Sequence, residues 1–245
     1  MNPLPVLAAA SAARVSSVDH LSGLASRPVL LLIAVAALSL LPFIALLMTS
    51  FVKIAVVLSI LRSALGSAQI PPSQIITGLA LIMTIYVMAP TGERMFAAIE
   101  PELARGSSAE ILSGQGLEAL GVAADKAKEP VREFLLKHGS ARDRSVFHAL
   151  ALRMRTGAER VGITERDFLV LVPAFLASEL RRAFEIGFLI FIPFLVVDLV
   201  ISNLLLALGM HMLSPTAISL PFKLLLFVLA DGWQLLLRGL VETYV

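Results

Sequence analysis

Long uncharged runs flank one stretch dense in charge, and this contrast predicts the elements. Val29 to Val52 is 24 residues without Asp, Glu, Lys or Arg. As a helix it would be about 36 Å long, enough to cross a hydrocarbon layer of about 30 Å. Pro42 falls inside this predicted span, where its ring removes a backbone donor and predicts a kink. In KIAVVLSILRSALGSAQIPP, Lys53 and Arg62 flank an apolar stretch too short for a second crossing, and Gly66 and Pro71-Pro72 end it. A second apolar helix is predicted from about Ser73 to Ala89, at the lower limit of spanning length, with Pro90 and Gly92 near its end. Residues 28–90 therefore predict an antiparallel apolar hairpin.

The pattern then changes. Residues 91–167 hold 24 of the 38 charged residues, 12 basic and 12 acidic, against 14 in the other 168 positions. Pro101, Gly106, Ser107, Ser108, Gly114 and Gly116 mark loops, while GVAADKAKEPVREFLLKH and ARDRSVFHALALRM read as amphipathic helices. Val131, Phe134, Leu135 and His138 share one helical face, as do Phe147, Leu150 and Met154, so a small soluble helical insert with a face to bury is expected. Thr164-Glu165-Arg166-Asp167 has the capping-box form before the next apolar run, which predicts that the next helix starts there. A helix from Phe168 to about Leu208, bent at Pro173 and Pro193, would be about 60 Å long, twice the hydrocarbon thickness. It cannot lie in lipid throughout. After the turn GMHMLSP (209–215) a last helix is predicted from about Ala217 to Leu237, carrying Lys223, Asp231 and Trp233. The expected organisation is all-α: a flexible tail over 1–27, the hairpin over 28–90, the insert over 91–167, and the long helix, methionine-rich turn and final helix over 168–245.

Composition sharpens the class. A hydrophobic share of 58% with 16% charged residues and a mean hydropathy of +0.88 depart from soluble usage and predict a membrane-associated chain. A formal charge of +2, with no basic stripe interleaved with aromatics, gives no reason to expect nucleic acid. The absence of cysteine excludes disulfides, thiol catalysis and the common zinc frameworks. His20, His138, His148 and His211 are isolated, with no HExxH pair. A phosphate-cradling loop, a nucleophile elbow and a dinucleotide fingerprint are all missing, so neither an enzyme nor a cofactor is expected. The first 27 residues lack the usual order of a signal peptide and read as a flexible tail, with an atypical signal segment as the alternative.

Glu179, Arg181, Arg182, Glu185, Asp198, Lys223 and Asp231 lie in or beside apolar segments. A charge at a bilayer centre costs about 2.5 to 3.5 kcal/mol, so such residues face protein or water and have partners. Asp198 lies 12 positions before Met210 and Lys223 lies 11 after Met212, which brings the two to one level of an antiparallel hairpin and predicts that they pair. The set reads either as structural ion pairs or as a proton relay of an autonomous ion-coupled transporter, with Asp198 and Asp231 as carriers.

Four stretches are more specific than any periodicity: MTSFVKIAVVLSILRSALGSAQIPPSQIITGLALIMTIYVMAP (48–90), EPVREFLLKH (129–138), LVPAFLASELRRAFEIGFLIFIPFLVVDLVISNLLLALGMHMLSP (171–215) and ISLPFKLLLFVLADGW (218–233). They resemble the FliP/SctR family of type III secretion export-gate proteins, and TSFVKI and VVLSILR look more like the injectisome branch (SctR) than the flagellar one. The resemblance implies a homo-oligomer of about five copies, packed with SctS-like and SctT-like subunits into a helical cone around a channel for unfolded polypeptides. It further implies SctU-like and SctV-like export components beside it, a site at the bacterial inner membrane in contact with lipid, and the insert on the periplasmic side. The positive-inside tendency gives no consistent four-span topology, because Lys53 and Arg62 favour a cytoplasmic first turn while Arg181 and Arg182 would then lie outside.

In the family a run of three methionines between the last two helices closes the channel; the matching positions here are Met210, His211 and Met212. Methionine conforms to irregular gaps and suits a displaceable seal. With a histidine at the centre, either His211 points away from the lumen or the seal is leakier and pH-sensitive. The resemblance also implies self-association of the insert through Phe134 and Phe147, with packing into the chain's own core as the rival. Subunit contacts are implied for Glu179 of the SEL motif and Lys223 of the LPFK motif.

Overall fold

The computed structural model describes residues 28–66, 71–106, 114–155 and 162–245; the predicted tail over 1–27 lies outside them. Among the described residues all regular structure is helical: α1 (Pro28–Leu47), α2 (Phe51–Ala64), α3 (Ser73–Gly106), α4 (Gly114–His138), α5 (Ala141–Arg153), α6 (Phe168–Ala207), α7 (Pro215–Leu229) and α8 (Gly232–Glu242). The chain divides into two compact units, Met1–Ala45 and Leu46–Val245.

The first unit contains most of α1, which runs through Pro42. The uncharged run 29–52 is not one helix as expected, because α1 ends at Leu47 and α2 begins at Phe51. Thr49 explains the break. Its Oγ1 donates to the Leu46 carbonyl at 2.7 Å and accepts from the Phe51 N–H at 3.3 Å, offering the backbone a local alternative to the helix ladder.

In the second unit α2 is the most enclosed element. Ile54, Val57 and Leu58 are buried against Ile76 and Ala80 of α3, Ala183 of α6 and Leu240 of α8. Further along, Leu61, Ala64 and Leu65 meet Phe194 of α6 and Phe227 of α7. Each fully buried aliphatic side chain is worth about 1.5 to 3 kcal/mol. At Gly187 of α6 an added Cβ would come within 2.4 Å of the Ile60 side chain, so the missing side chain is what lets α2 and α6 approach. A third cluster joins Phe134 and Leu135 of α4 to Leu171 and Phe175 of α6 and to Tyr244.

Several expected boundaries are corrected. The second apolar helix does not stop at Ala89: α3 continues through Pro90 and Pro101 to Gly106. A proline inside a helix costs about 3 kcal/mol, and extensive packing of α3 against α4 offsets it here. Gly114 and Gly116 open α4 instead of forming a loop. Thr164 does not cap α6. Its Oγ1 accepts from the Arg166 N–H at 3.3 Å, one residue short of a capping box, and Asp167 Oδ2 accepts from the Thr164 N–H at 2.7 Å, closing a turn ahead of the helix. The outward stripe of α5 is not buried either, since Leu150 and Met154 are exposed while Asp143 turns inward.

The long helix over 168–207 is present, 40 residues with Pro173 and Pro193 inside. It ends in a Schellman motif: Gly209 takes φ 72°, with Met210 N–H bonded to Leu205 O at 2.9 Å and Gly209 N–H to Leu206 O at 3.1 Å. The final helix expected over 217–237 is instead α7 and α8, bent by 61°. Asp231, at φ 50°, makes the break. Gly232 allows it, because a Cβ there would lie 2.3 Å from the Phe227 ring. Ser73–Pro101 and Phe168–Ala207 are long and apolar enough to cross a membrane, and the bent pair would count as a third span if taken as one.

Candidate functional site

Three features carry the chemistry of the second unit. The first is the turn between α6 and α7, where the Schellman close and Pro215 at the start of α7 leave five residues projecting. Met212 is 98% exposed and Met210 47%, and His211 is exposed between them. Two flexible thioethers and an imidazole thus stand at the tip, where a soluble hairpin would place polar turn residues.

The second feature lies further down the same hairpin. Lys223 Nζ is 2.7 Å from Asp198 Oδ2, and Ser219 Oγ donates to Asp198 Oδ1 at 2.6 Å. The ammonium also donates to the Ala64 carbonyl at 3.0 Å, at the C-terminal end of α2 where the helix dipole favours a cation. Lys223 is buried and thereby ties α2, α6 and α7 together. Gly66 stands close by: an added Cβ would come within 3.3 Å of Nζ.

The third is a buried hub at the other end of α2. Lys53 and Glu179 are both 0% exposed, with Nζ and Oε2 3.3 Å apart. The contact is ionic and lacks the alignment of a hydrogen bond. Glu179 also takes Arg182 at 3.2 Å and the Tyr244 hydroxyl, which donates to Oε2. The Tyr244 ring lies over Lys53 Nζ at 3.5 Å, parallel to Phe134 and edge-on to His138. Burial pushes the Lys53 ammonium down from its ordinary value, opposed by Glu179. Burial and the neighbouring Glu179 carboxylate push the Tyr244 hydroxyl up, so it stays protonated.

The insert is fastened to α6 beside this hub. Arg181 Nη2 lies 2.6 Å from Asp143 Oδ1, and Ser178 Oγ donates to Asp143 Oδ2 at 2.8 Å while accepting from the Ser140 N–H at 2.9 Å. Burial raises Asp143, but Ser178 and Arg181 together outweigh it and hold the carboxyl below its usual value. Arg182 Nη1 donates to the His138 carbonyl at 2.9 Å. Burial, with Lys137, Lys53 and Arg182 adding to it, lowers His138 from 6.5 to about 4 and keeps it neutral.

The arrangement therefore brings Asp198 to Lys223, and it gives Glu179 partners from within its own chain. Phe134 lies in the chain's own core against Phe175 and Tyr244, while Phe147 is half-buried on α5. Asp231 is an exposed residue at the α7–α8 bend. Among the described residues no group of three or more His, Cys, Asp or Glu could hold a metal. Lys53, Asp143 and Tyr244 were not singled out as site residues from the sequence. The usable signal for Lys53 was a lone ammonium inside FVKIAVVLSIL, which demands a buried counter-charge.

The hairpin, its exposed tip and the Lys53–Glu179 pair of the hub fall within one stretch of sequence: residues 34–240 match the FliP family. The chain belongs to the FliP family. It is similar to Yop proteins translocation protein R of Yersinia pestis, 50% identical over 220 residues, covering 87% of this chain and 95% of the relative. Against hypersensitivity response secretion protein HrcR of Ralstonia nicotianae the identity is 44% over 215 residues, covering 87% and 96%. Against flagellar biosynthetic protein FliP of Pectobacterium carotovorum it is 44% over 214 residues, covering 87% and 77%. The match to the FliP family thus takes in every element from α2 to α7 and most of α1 and α8.

Proposed function

We propose that this FliP-family chain is a core subunit of a type III secretion export gate of the injectisome branch, non-enzymatic and acting by assembly. About five copies pack with SctS-like and SctT-like subunits at the bacterial inner membrane. The insert lies on the periplasmic side, and SctU-like and SctV-like components adjoin the gate. Unfolded polypeptides pass through the shared channel, driven by energy from other components.

The observation that carries this reading is the exposure of the α6–α7 hairpin. Only 11% of the most apolar window of α6 is buried within the chain, although α6 is about twice as long as a hydrocarbon layer is thick. A helix so apolar and so bare needs other protein or lipid along its length, and its length exceeds what lipid alone can cover. At its tip Met210 and Met212 stand in solvent. Collected from several copies, these thioethers form a constriction that deforms around a passing chain.

Two measurements test the proposal. Native mass of the chain co-expressed with SctS-like and SctT-like partners should show a stable complex of about five copies; a chain that stays monomeric beside both partners refutes it. Complexes carrying Met210→Ala and Met212→Ala, reconstituted in vesicles, should leak small solutes faster than the wild type. Unchanged permeability removes the role of the tip.

A further inference from the structure

The segment after α8 does more than finish a helix. Leu236, Leu237 and Leu240 pack α8 against α2 and its neighbours, which accounts for the helix but not for residues 243–245. Tyr244 sits where three elements converge: Lys53 of α2, Phe134 and His138 of α4, and Glu179 of α6 all touch its ring or hydroxyl. Lys137 Nζ reaches the Val245 carbonyl at 3.3 Å from the exposed side.

We infer that residues 243–245 are a removable strap, with Tyr244 the positioning residue of the buried Lys53–Glu179 pair. Seated, the strap holds α2, α4, α6 and α8 in one arrangement. Unseated, it uncovers Lys53 and lets α8 pivot at Asp231.

Three independent observations support a separable strap over a permanent part of the core. A cavity of about 690 Å³, lined by Tyr86, Arg94, Phe134, His138, Tyr244 and Val245 among others, adjoins the ring and leaves it room to swing without displacing a helix. The hub is incompletely satisfied, since Lys53 Nζ is buried with no aligned hydrogen bond. Buried polar groups left unmet are points of local opening. The pivot is also in place: Asp231 is the one non-glycine residue with positive φ among the described residues, at the 61° bend. Because Glu179 is enclosed while the strap is seated, any contact of this carboxylate with a neighbouring chain requires the strap to leave first.

The test reads Lys53 directly, on the full chain in detergent, so it does not depend on any assembly. An amine-reactive ester followed by peptide mapping should label exposed Lys128 and spare Lys53 and Lys223. In Tyr244→Ala the labelling rate of Lys53 should rise about tenfold or more, the factor expected when a desolvated ring is lost from over a buried ammonium and an opening equilibrium shifts accordingly. Lys223, held by its own bonds at the other end of α2, should stay protected. Tyr244→Phe keeps the ring over the ammonium and should restore most of the protection. The inference is overturned if Lys53 stays as protected as Lys223 in Tyr244→Ala, or if both lysines open together in that variant and in Tyr244→Phe, which would make Tyr244 an ordinary part of one cooperative core.

Discussion

The Asp198–Lys223 pair allows a quantitative test of how the hairpin is held. Lys223→Met keeps the length of the side chain and removes its charge, leaving Asp198, 29% exposed, with Ser219 as its remaining bond. Stranding one member of a largely buried pair costs about 3 kcal/mol, roughly a hundredfold in the folding equilibrium. Asp198→Asn costs a similar amount for the opposite reason, because it strands a buried ammonium that retains the Ala64 carbonyl. The double variant strands neither charge, so its loss should fall below that of either single change, giving a coupling of more than about 3 kcal/mol. Trp233 is the chain's one tryptophan, and it lies edge-on to Phe227 at 5.3 Å. Its fluorescence during denaturant unfolding in detergent therefore reports on α7 and α8. If the double variant loses the sum of the singles to within about 0.5 kcal/mol, the two groups act independently and the pair does not clamp the hairpin. Full charge reversal should recover only part of the loss, since a carboxylate at 223 would face the Ala64 carbonyl.

Two further outcomes follow from the packing. His138 has a folded pKa lowered from 6.5 to about 4, so between these values the unfolded chain binds more protons. Stability should fall as pH drops through that window, by up to about 3 kcal/mol, and His138→Gln should flatten a denaturation profile measured from pH 7 to 4; an unchanged slope would place the titration elsewhere. Gly232→Ala sets a Cβ 2.3 Å from the Phe227 ring and should cost about 1 to 3 kcal/mol by overpacking, visible as a lower unfolding midpoint and a shifted Trp233 emission, whereas a neutral effect would show that the bend relaxes freely.

Local pattern revealed what local forces decide. The apolar period placed α6 and its close before Gly209, although the capping-box form of Thr164–Asp167 put its start a turn too early, and counting positions on either side of GMHMLSP put Asp198 level with Lys223. Proline misled at 90 and 101, because one missing donor weighs less than long packing of α3 against α4, and packing is not visible in a window of neighbours. The α7–α8 bend was hidden for a related reason: DGW reads as helix until the Phe227 ring is known to fill the space where a side chain on Gly232 would go. The hub was the least legible part. Lys53, Glu179 and Tyr244 lie far apart in sequence, and nothing in their surroundings specifies which charge answers which. Met210 and Met212 were conspicuous as a motif, yet their exposure depended on the Schellman turn that projects them.

The two buried lysines share an overlooked dependence on α2. Lys53 near its start answers Glu179, and the Ala64 carbonyl at its end receives Lys223. These two sites are about three turns apart, so α2 works as a gauge block whose length sets the spacing between two locks. Adding or deleting one residue between them would turn one lock by about 100° relative to the other, and no side-chain adjustment could re-engage both. Relatives of this chain should therefore vary at the exposed positions of α2, such as Ser59 and Ser63, and not at all in the number of residues between the two locks.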